Sequence, residues 1–242
     1  MSEVRPYRDS AAGKKEQVAM MFDHIAPKYD FLNHTLSFGI DKMWRRKAIR
    51  LIAGSSPETI LDVATGTGDF AIAALKSGAK KITGIDISKE MVAFGQEKVR
   101  RLGLEEKISL TTGDSESIQF PDFTFDAATV AFGVRNFENL SRGLSELFRV
   151  LKKGGTLCVL EFSNPRQPVV RFVYKLYSKY LMPWIGRLIS GDSSAYTYLP
   201  ESVAEFPDGE KFITFMKNSG FVQIREYRRT FGIATIYIGK KV

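Results

Sequence analysis

The chain is poor in the residues that most often build metal and disulfide sites. It has one cysteine and two histidines in 242 residues. A lone cysteine excludes an internal disulfide and a cysteine pair for a metal, and Cys158 sits inside the apolar run "GTLCVLEF", where it fills core. No metal site is expected. Long apolar runs are missing too: no stretch approaches the roughly 18 residues that a bilayer span needs, and the polar opening "MSEVRPYRDSAAGKKEQ" lacks the apolar centre of a secretory signal. A cytoplasmic chain is therefore expected. Repeats and low-complexity segments are also absent. Hydrophobic residues at 44% and charged residues at 26% exclude disorder over most of the length. The net charge of +8 suits an acidic partner, either nucleic acid or anionic lipid, and equally suits plain solubility.

From residue 58 onward, apolar runs alternate with helix-patterned stretches, the signature of an α/β fold with a mostly parallel sheet covered on both faces. Strands are expected at Thr59–Val63, Lys81–Ile85, Lys107–Thr112, Phe125–Ala131 and Thr156–Phe162. Helices are expected at about Phe70–Lys76, Lys89–Leu102 and Leu140–Leu151, the last stopped by the glycines of "KKGG". A helix near Asp208–Ser219 follows, then "FVQIREYRR" and "FGIATIYIGKKV". The turn between these two runs is too short for a crossover helix, so the last strand pairs antiparallel with its predecessor. Residues 1–57 read as an N-terminal helical cap, 58–242 as the core, and 163–206 as an insert after the fifth strand.

The stretch "LDVATGTGDF" places glycines directly after the first strand, where a doubly wound sheet binds its ligand at a helix N-terminus. Gly66 and Gly68 can take positive φ without steric cost. Gly66, Gly68 and Ala71 satisfy the dinucleotide pattern G-x-G-x-x-A, with Asp86 near the position of a ribose-binding acid. S-adenosylmethionine is the rival ligand. It needs the same close backbone approach, an acid ending the second strand for its ribose, and a polar site ending the third for its adenine. Asp86 in "ITGIDIS" and the pair Asp114 and Ser115 in "LTTGDSESI" occupy those places. Ser88 is the better cap for the following helix, which leaves Asp86 free. The antiparallel finish favours S-adenosylmethionine.

On these residues the chain resembles the class I S-adenosylmethionine-dependent methyltransferases, and more narrowly the demethylmenaquinone and ubiquinone C-methyltransferase family. The blocks "FDHIAPKYDFLNHTLSFGIDKMWRR", "LDVATGTGDF", "FGVRN", "LFRVLKKGGTLCVLEFSNP" and "YTYLPESVAEFPD" carry the resemblance, which runs from about Lys14 to the end. It implies a Rossmann-like seven-stranded sheet with an antiparallel last strand, and methyl transfer to a ring carbon of a prenylated quinol, demethylmenaquinol or a benzoquinol of the ubiquinone series. Cofactor contacts carry over to Thr67, Asp86, Asp114 and Ser115, with Gly66 and Gly68 shaping the loop. Two positions depart from the pattern: Ala64 stands where the wider superfamily usually has glycine, and Ala131 where some members have serine.

Methylation of a quinol carbon needs an electron-rich ring in line with the methyl donor, and deprotonating a ring hydroxyl sharpens the nucleophile. Arg135 and Asn136 in "FGVRN" follow the fourth strand, and Tyr29 in "APKYD" can close over the donor; position and resemblance together make these three the catalytic candidates. Arg135 stays charged and suits a developing phenolate, unless it serves as an ion pair with Glu161 or Glu138. Tyr29 reads equally as core packing. His24, His34 and Glu161, the last placed at the expected pocket mouth, are lesser candidates.

Between Ser163 and Gly191 there are five basic and no acidic residues, interleaved with aromatics. Arg171, Lys175 and Lys179 share one helix face, and Val169, Phe172, Val173, Leu176 and Tyr180 another. Such a helix fits an anionic membrane surface, where a prenylated quinol resides, or packs on the domain with a solvated lysine face. A homodimer stays open. A nucleic-acid methyltransferase would also suit the positive charge. "AFGVRN" lacks the Asn- or Asp-Pro-Pro-aromatic motif of base-nitrogen methylation, and Cys158 lies in a strand, so no nucleic-acid partner is expected.

Overall fold

The computed structural model describes residues 4–7, 9–177 and 193–242. The strands are β1 (Thr59–Val63), β2 (Lys81–Asp86), β3 (Ile108–Thr112), β4 (Phe125–Ala131), β5 (Leu151–Phe162), β6 (Val222–Arg229) and β7 (Ala234–Lys240). They form one sheet in the order β3-β2-β1-β4-β5-β7-β6. The first five pair in parallel, and β7 runs antiparallel to both β5 and β6. The strand order reverses between β1 and β4. Loops leaving those two strands diverge there and open a crevice at their carboxyl ends.

Helices cover both faces because the central strands are apolar on both. Ile60 of β1 joins a cluster with Trp44, Ala48 and Ile52 of α3 (Ile40–Ala53), Phe70 of α4 (Asp69–Ala74) and Val92 of α5 (Lys89–Arg101). Leu61 and Val63, pointing oppositely, join Leu144 and Leu147 of α6 (Leu140–Val150) and residues 212 to 216 of the helix Glu210–Asn218. This alternation buries both sheet faces. A third cluster packs α1 (Lys14–Ile25) and α2 (Tyr29–Leu36) against Met91 and Tyr198. That cluster sets the two N-terminal helices over the crevice.

Ser88 caps α5 as expected, its hydroxyl accepting from Met91 N at 3.1 Å. One expectation fails locally. "KKGG" does not stop α6, which ends at Val150; it lies within β5 as a bulge, the register jumping from Leu151 opposite Phe125 to Thr156 opposite Ala127. Gly154 takes φ +77°, its N–H bonded to Lys241 O at 2.7 Å, and a Cβ on Gly155 would meet Lys152 O at 2.7 Å. Both glycines serve a tight bulge, which local pattern does not distinguish from a helix stop.

Ala64, where glycine is usual, adopts φ +54°. Its methyl fills the space a Cβ on Gly133 would need, 2.4 Å away. Gly133→Ala is therefore expected to destabilise by ~1–3 kcal/mol through overpacking, and the added change Ala64→Gly to restore most of that. Thermal melts of the single and double variants check it; equal melting of Gly133→Ala with and without Ala64→Gly would refute the contact.

Candidate active site

Two cavities meet at the crevice. The first is small, about 60 Å³, and the more polar of the two, bordered by Gly66, Asp86, Gly113, Asp114, Ser115, Asn136 and the α1 residues Lys15, Val18 and Phe22. The second is about 300 Å³ and mostly apolar, walled by Trp44, Phe132, Phe162, Tyr174, Tyr177 and Tyr198 among others, with Arg135 on its wall. Phe22, Tyr29 and Phe132 border both. Those three rings stand at the junction.

The polar cavity is built on two backbone devices. Gly66 takes φ +56° and donates its N–H to Asp86 Oδ2 at 2.8 Å, while Ser88 N donates to Asp86 Oδ1 at 2.9 Å. Asp86 is 8% exposed, and burial pushes its carboxyl above the usual range against the pull of these amides. Each oxygen keeps a lone pair that can accept from a vicinal diol. Ser115 and Asp114 border the same space, with Asp114 Oδ1 accepting from Glu116 N at 2.8 Å and Oδ2 held by Lys15 Nζ at 2.9 Å. The residues present fit an adenosyl group: a buried acceptor for its ribose hydroxyls, and a carboxylate beside a hydroxyl for its amine.

Two residues of the glycine loop, Thr67 and Gly68, stand outside the lining of the cleft. Thr67 does not border the cavity; its hydroxyl donates to Asp30 Oδ1 at 2.5 Å and accepts from Lys98 at 3.1 Å, tying the loop to α2 and α5. Gly68, at φ +78°, caps α4, and a Cβ there would meet Leu110 at 3.0 Å. Glu161, expected at a pocket mouth, is wholly buried and borders neither cavity. Of the expected alternatives it is the ion-pair partner of Arg135, at 2.8 Å; Glu138 instead accepts from Lys15 N. His34 bridges Asp41 and Asp69 at 3.2 and 3.4 Å and His24 is exposed on α1; neither borders a cavity. Of the catalytic candidates, Arg135 borders the apolar cavity, Asn136 the polar one, and Tyr29 both.

Beneath the loop, Asp62 accepts from Thr65 and Thr129 hydroxyls, each at 2.6 Å. Burial pushes its carboxyl up to about 6, despite those donors. A carboxyl whose folded value exceeds its unfolded one stabilises the fold most when protonated, so its contribution is lost as pH rises from about 4 through 6. Asp62→Asn removes that titration. Relative to the wild type, the variant is expected to gain on the order of 3 kcal/mol between about pH 4 and pH 7, read by urea unfolding at each pH. A pH-independent difference would contradict it.

Sequence reasoning missed the aromatic wall, because Trp44, Phe132, Phe162 and Tyr198 come from distant segments. It also missed α1 as the outer wall of the polar cavity. Lys14 reaches Phe137 O at 3.1 Å, Lys15 reaches Asp114 and Glu116, and Asp23 near the other end accepts from Ser88 Oγ at 2.6 Å. Phe132 lies inside "AFGVRN", next to the catalytic candidates. It holds φ +59°, a conformation costly for a bulky residue, braced by Trp44 and Phe162 at 6.1 and 4.6 Å between ring centres.

A seven-stranded sheet of this order with a cleft at its switch point is the fold of the class I S-adenosylmethionine-dependent methyltransferases. Solved structures agree on the fold: a SAM-dependent methyltransferase from Thermotoga maritima has TM-score 0.64 and 18% identity, covering 93% of this chain and 99% of that one. The [4+2]-cyclase SpnF has TM-score 0.62 and 18% identity, covering 99% of each, so the fold alone does not fix the reaction. Curated relatives include proteins named demethylmenaquinone methyltransferase from Bacteroides fragilis, 49% identical over 99% of this chain and 98% of theirs, and from Porphyromonas gingivalis, 44% identical over the same shares. A Geobacter sulfurreducens protein named ubiquinone/menaquinone biosynthesis C-methyltransferase UbiE is 47% identical over 94% of this chain and 90% of its own. The model of the ubiE/COQ5 methyltransferase family matches residues 10–241, and the chain belongs to that family.

Proposed function

We propose that the protein transfers a methyl group from S-adenosylmethionine to a ring carbon of a prenylated quinol, converting demethylmenaquinol to menaquinol. The observation that carries this reading is the apolar cavity of about 300 Å³ opening onto the cofactor cleft at Phe22, Tyr29 and Phe132. Its wall is mostly aliphatic and aromatic, which suits a prenylated ring, with Arg135 among the few charged groups there. The names of the Bacteroides and Porphyromonas relatives favour the naphthoquinol over the benzoquinol of the ubiquinone series.

Bound S-adenosylmethionine supplies an electrophilic methyl on a sulfonium. The ring carbon forms the new C–C bond as the S–CH₃ bond breaks, and one proton leaves overall as the ring regains aromaticity. The aromatic wall holds the ring flat and excludes water, which supplies orientation and desolvation. Arg135 stabilises charge on the quinol oxygen while the carbon attacks. Asn136 accepts from Tyr198 Oη at 3.1 Å, which fixes its amide and leaves Nδ2 free to donate. Burial holds the Tyr29 phenol above its ordinary value, so at neutral pH it donates a hydrogen bond rather than taking a proton.

The protein meets its substrate at an anionic membrane. Among the described residues no helix is long and apolar enough to cross a membrane. The helix α7 (Pro168–Leu176) lines the cavity with Val170, Val173 and Tyr174, and exposes Val169, Phe172 and Leu176. Phe38 at the cavity wall and Phe231 beside it are also exposed, at 74% and 72%. Arg171 folds back onto Pro165 O at 2.9 Å; Lys179, Tyr180 and Trp184 of the expected pattern lie outside the described residues. An apolar rim on a chain of net charge +8 suits acyl chains beneath acidic headgroups. The same rim could instead bury itself in a homodimer; vesicle co-sedimentation and sedimentation velocity separate the two.

The test of the reaction is incubation with labelled S-adenosylmethionine and, separately, reduced demethylmenaquinol, a prenylated benzoquinol and RNA. Label is expected in the naphthoquinol. Label in RNA, or in no quinol, overturns the proposal.

A further inference from the structure

The residues assigned so far leave one fully buried carboxylate without a task. Glu161 ends β5 with no exposed surface. Burial raises its carboxyl above the usual range against the opposing pull of Arg135 and of backbone donors. A buried ion pair is weak evidence for stability, since an apolar pair of similar size often serves as well. What distinguishes this one is where its bonds go.

Two of the three bonds of Glu161 go to Arg135, in the loop that joins the two cavities. Oε1 accepts from Arg135 Nη1 and from Phe162 N, each at 2.8 Å, and Oε2 accepts from Arg135 N at 3.3 Å. Arg135 Nη1 donates also to the carbonyl of Phe132, and Nε donates to Ser202 Oγ at 3.3 Å. Its guanidinium lies 5.6 Å from the Phe162 ring centre. Nε and Nη1 are thus committed to protein. Nη2 has no hydrogen-bond partner among the described residues, on a side chain that borders the apolar cavity.

We propose that Glu161 is a positioning residue for methyl transfer, holding the Arg135 guanidinium so that its uncommitted Nη2 meets the ring hydroxyl of the acceptor. This rests on the proposed quinol reading, because it needs an acceptor with an ionisable hydroxyl. Glu161 also leaves the pair neutral as a whole, so an uncharged quinol enters an apolar cavity rather than one lined by a bare cation. Through Arg135 the same carboxylate braces the Phe132 carbonyl, and so the strained ring at the junction.

The test is steady-state kinetics and S-adenosylmethionine binding on Glu161→Gln, Glu161→Asp, Arg135→Lys and the double variant Glu161→Gln with Arg135→Lys. Glu161→Gln is expected to lower kcat about 10- to 100-fold, with KM for the acceptor within about threefold and Kd for S-adenosylmethionine within about twofold of wild type. Added to Arg135→Lys, it is expected to cost less than about threefold more, since the two act as a unit. Glu161→Asp keeps the charge but retracts it, and is expected to lower kcat with little change in melting temperature. A Glu161→Gln kcat within threefold of wild type, or a full multiplicative loss on Arg135→Lys, overturns the proposal. Should Glu161→Gln not fold, a Glu161→Asp kcat within threefold of wild type overturns it equally. A wild type that methylates another acceptor and no quinol defeats the quinol reading alone, and the same ratios measured on that acceptor decide the role of Glu161.

Discussion

Asp86→Ala is expected to weaken S-adenosylmethionine binding by about 100-fold or more. The carboxylate offers a lone pair on each oxygen to the ribose hydroxyls, and hydrogen bonds to a charged group contribute ~1.5–3 kcal/mol each. It also holds the glycine loop in place through Gly66 N at 2.8 Å and the start of α5 through Ser88 N at 2.9 Å. Removing it takes away the ligand's acceptors and the anchor of the loop together. Asp86→Asn keeps one acceptor and is expected to lose about tenfold, a step of roughly 1.4 kcal/mol. Because burial already raises the Asp86 carboxyl, wild-type affinity is expected to fall as pH drops through that raised value, and the Asn variant to lack this dependence. Calorimetry on the three proteins checks each statement; an Ala variant that binds within tenfold of wild type would place the ribose elsewhere.

Arg135→Met is expected to cost the fold ~3–5 kcal/mol, the usual penalty of stranding a buried charge. Glu161 would remain at zero exposure with only backbone donors left to it. For a chain of this size each kcal/mol moves the melting temperature by about 2–4 °C, so a fall of roughly 10 °C is expected. Adding Glu161→Gln is expected to recover most of that fall without restoring turnover. Melting curves and the quinol assay, run side by side, would show whether stability and catalysis separate in this way. Recovery of both together would mean that the pair is there only to hold the fold.

What the sequence discloses here is what short-range pattern can carry. The glycine loop, Asp86, and Asp114 with Ser115 all lie within a few residues of a periodicity change, and Gly66, Asp86, Asp114 and Ser115 border the polar cavity. Thr67 lies outside the cleft lining, its hydroxyl bonded to Asp30 and Lys98, 37 and 31 residues away. No local signal announces such partners. The apolar cavity was invisible for the same reason: its wall draws on α1, α2, α3, the ends of β4 and β5, α7 and the turn at Thr230. "KKGG" failed differently, since a glycine that ends a helix and one that bulges a strand look alike until the neighbouring strand is in place.

The α1 helix fastened at both ends has a consequence for turnover. The fastening that borders the cleft is ionic and half-buried, Lys15 to Asp114 and Glu116 at 2.9 and 3.1 Å. Pairs of that kind loosen as counterions accumulate. Exchange of the adenosyl compound is therefore expected to quicken as salt rises, read by stopped-flow release at increasing ionic strength.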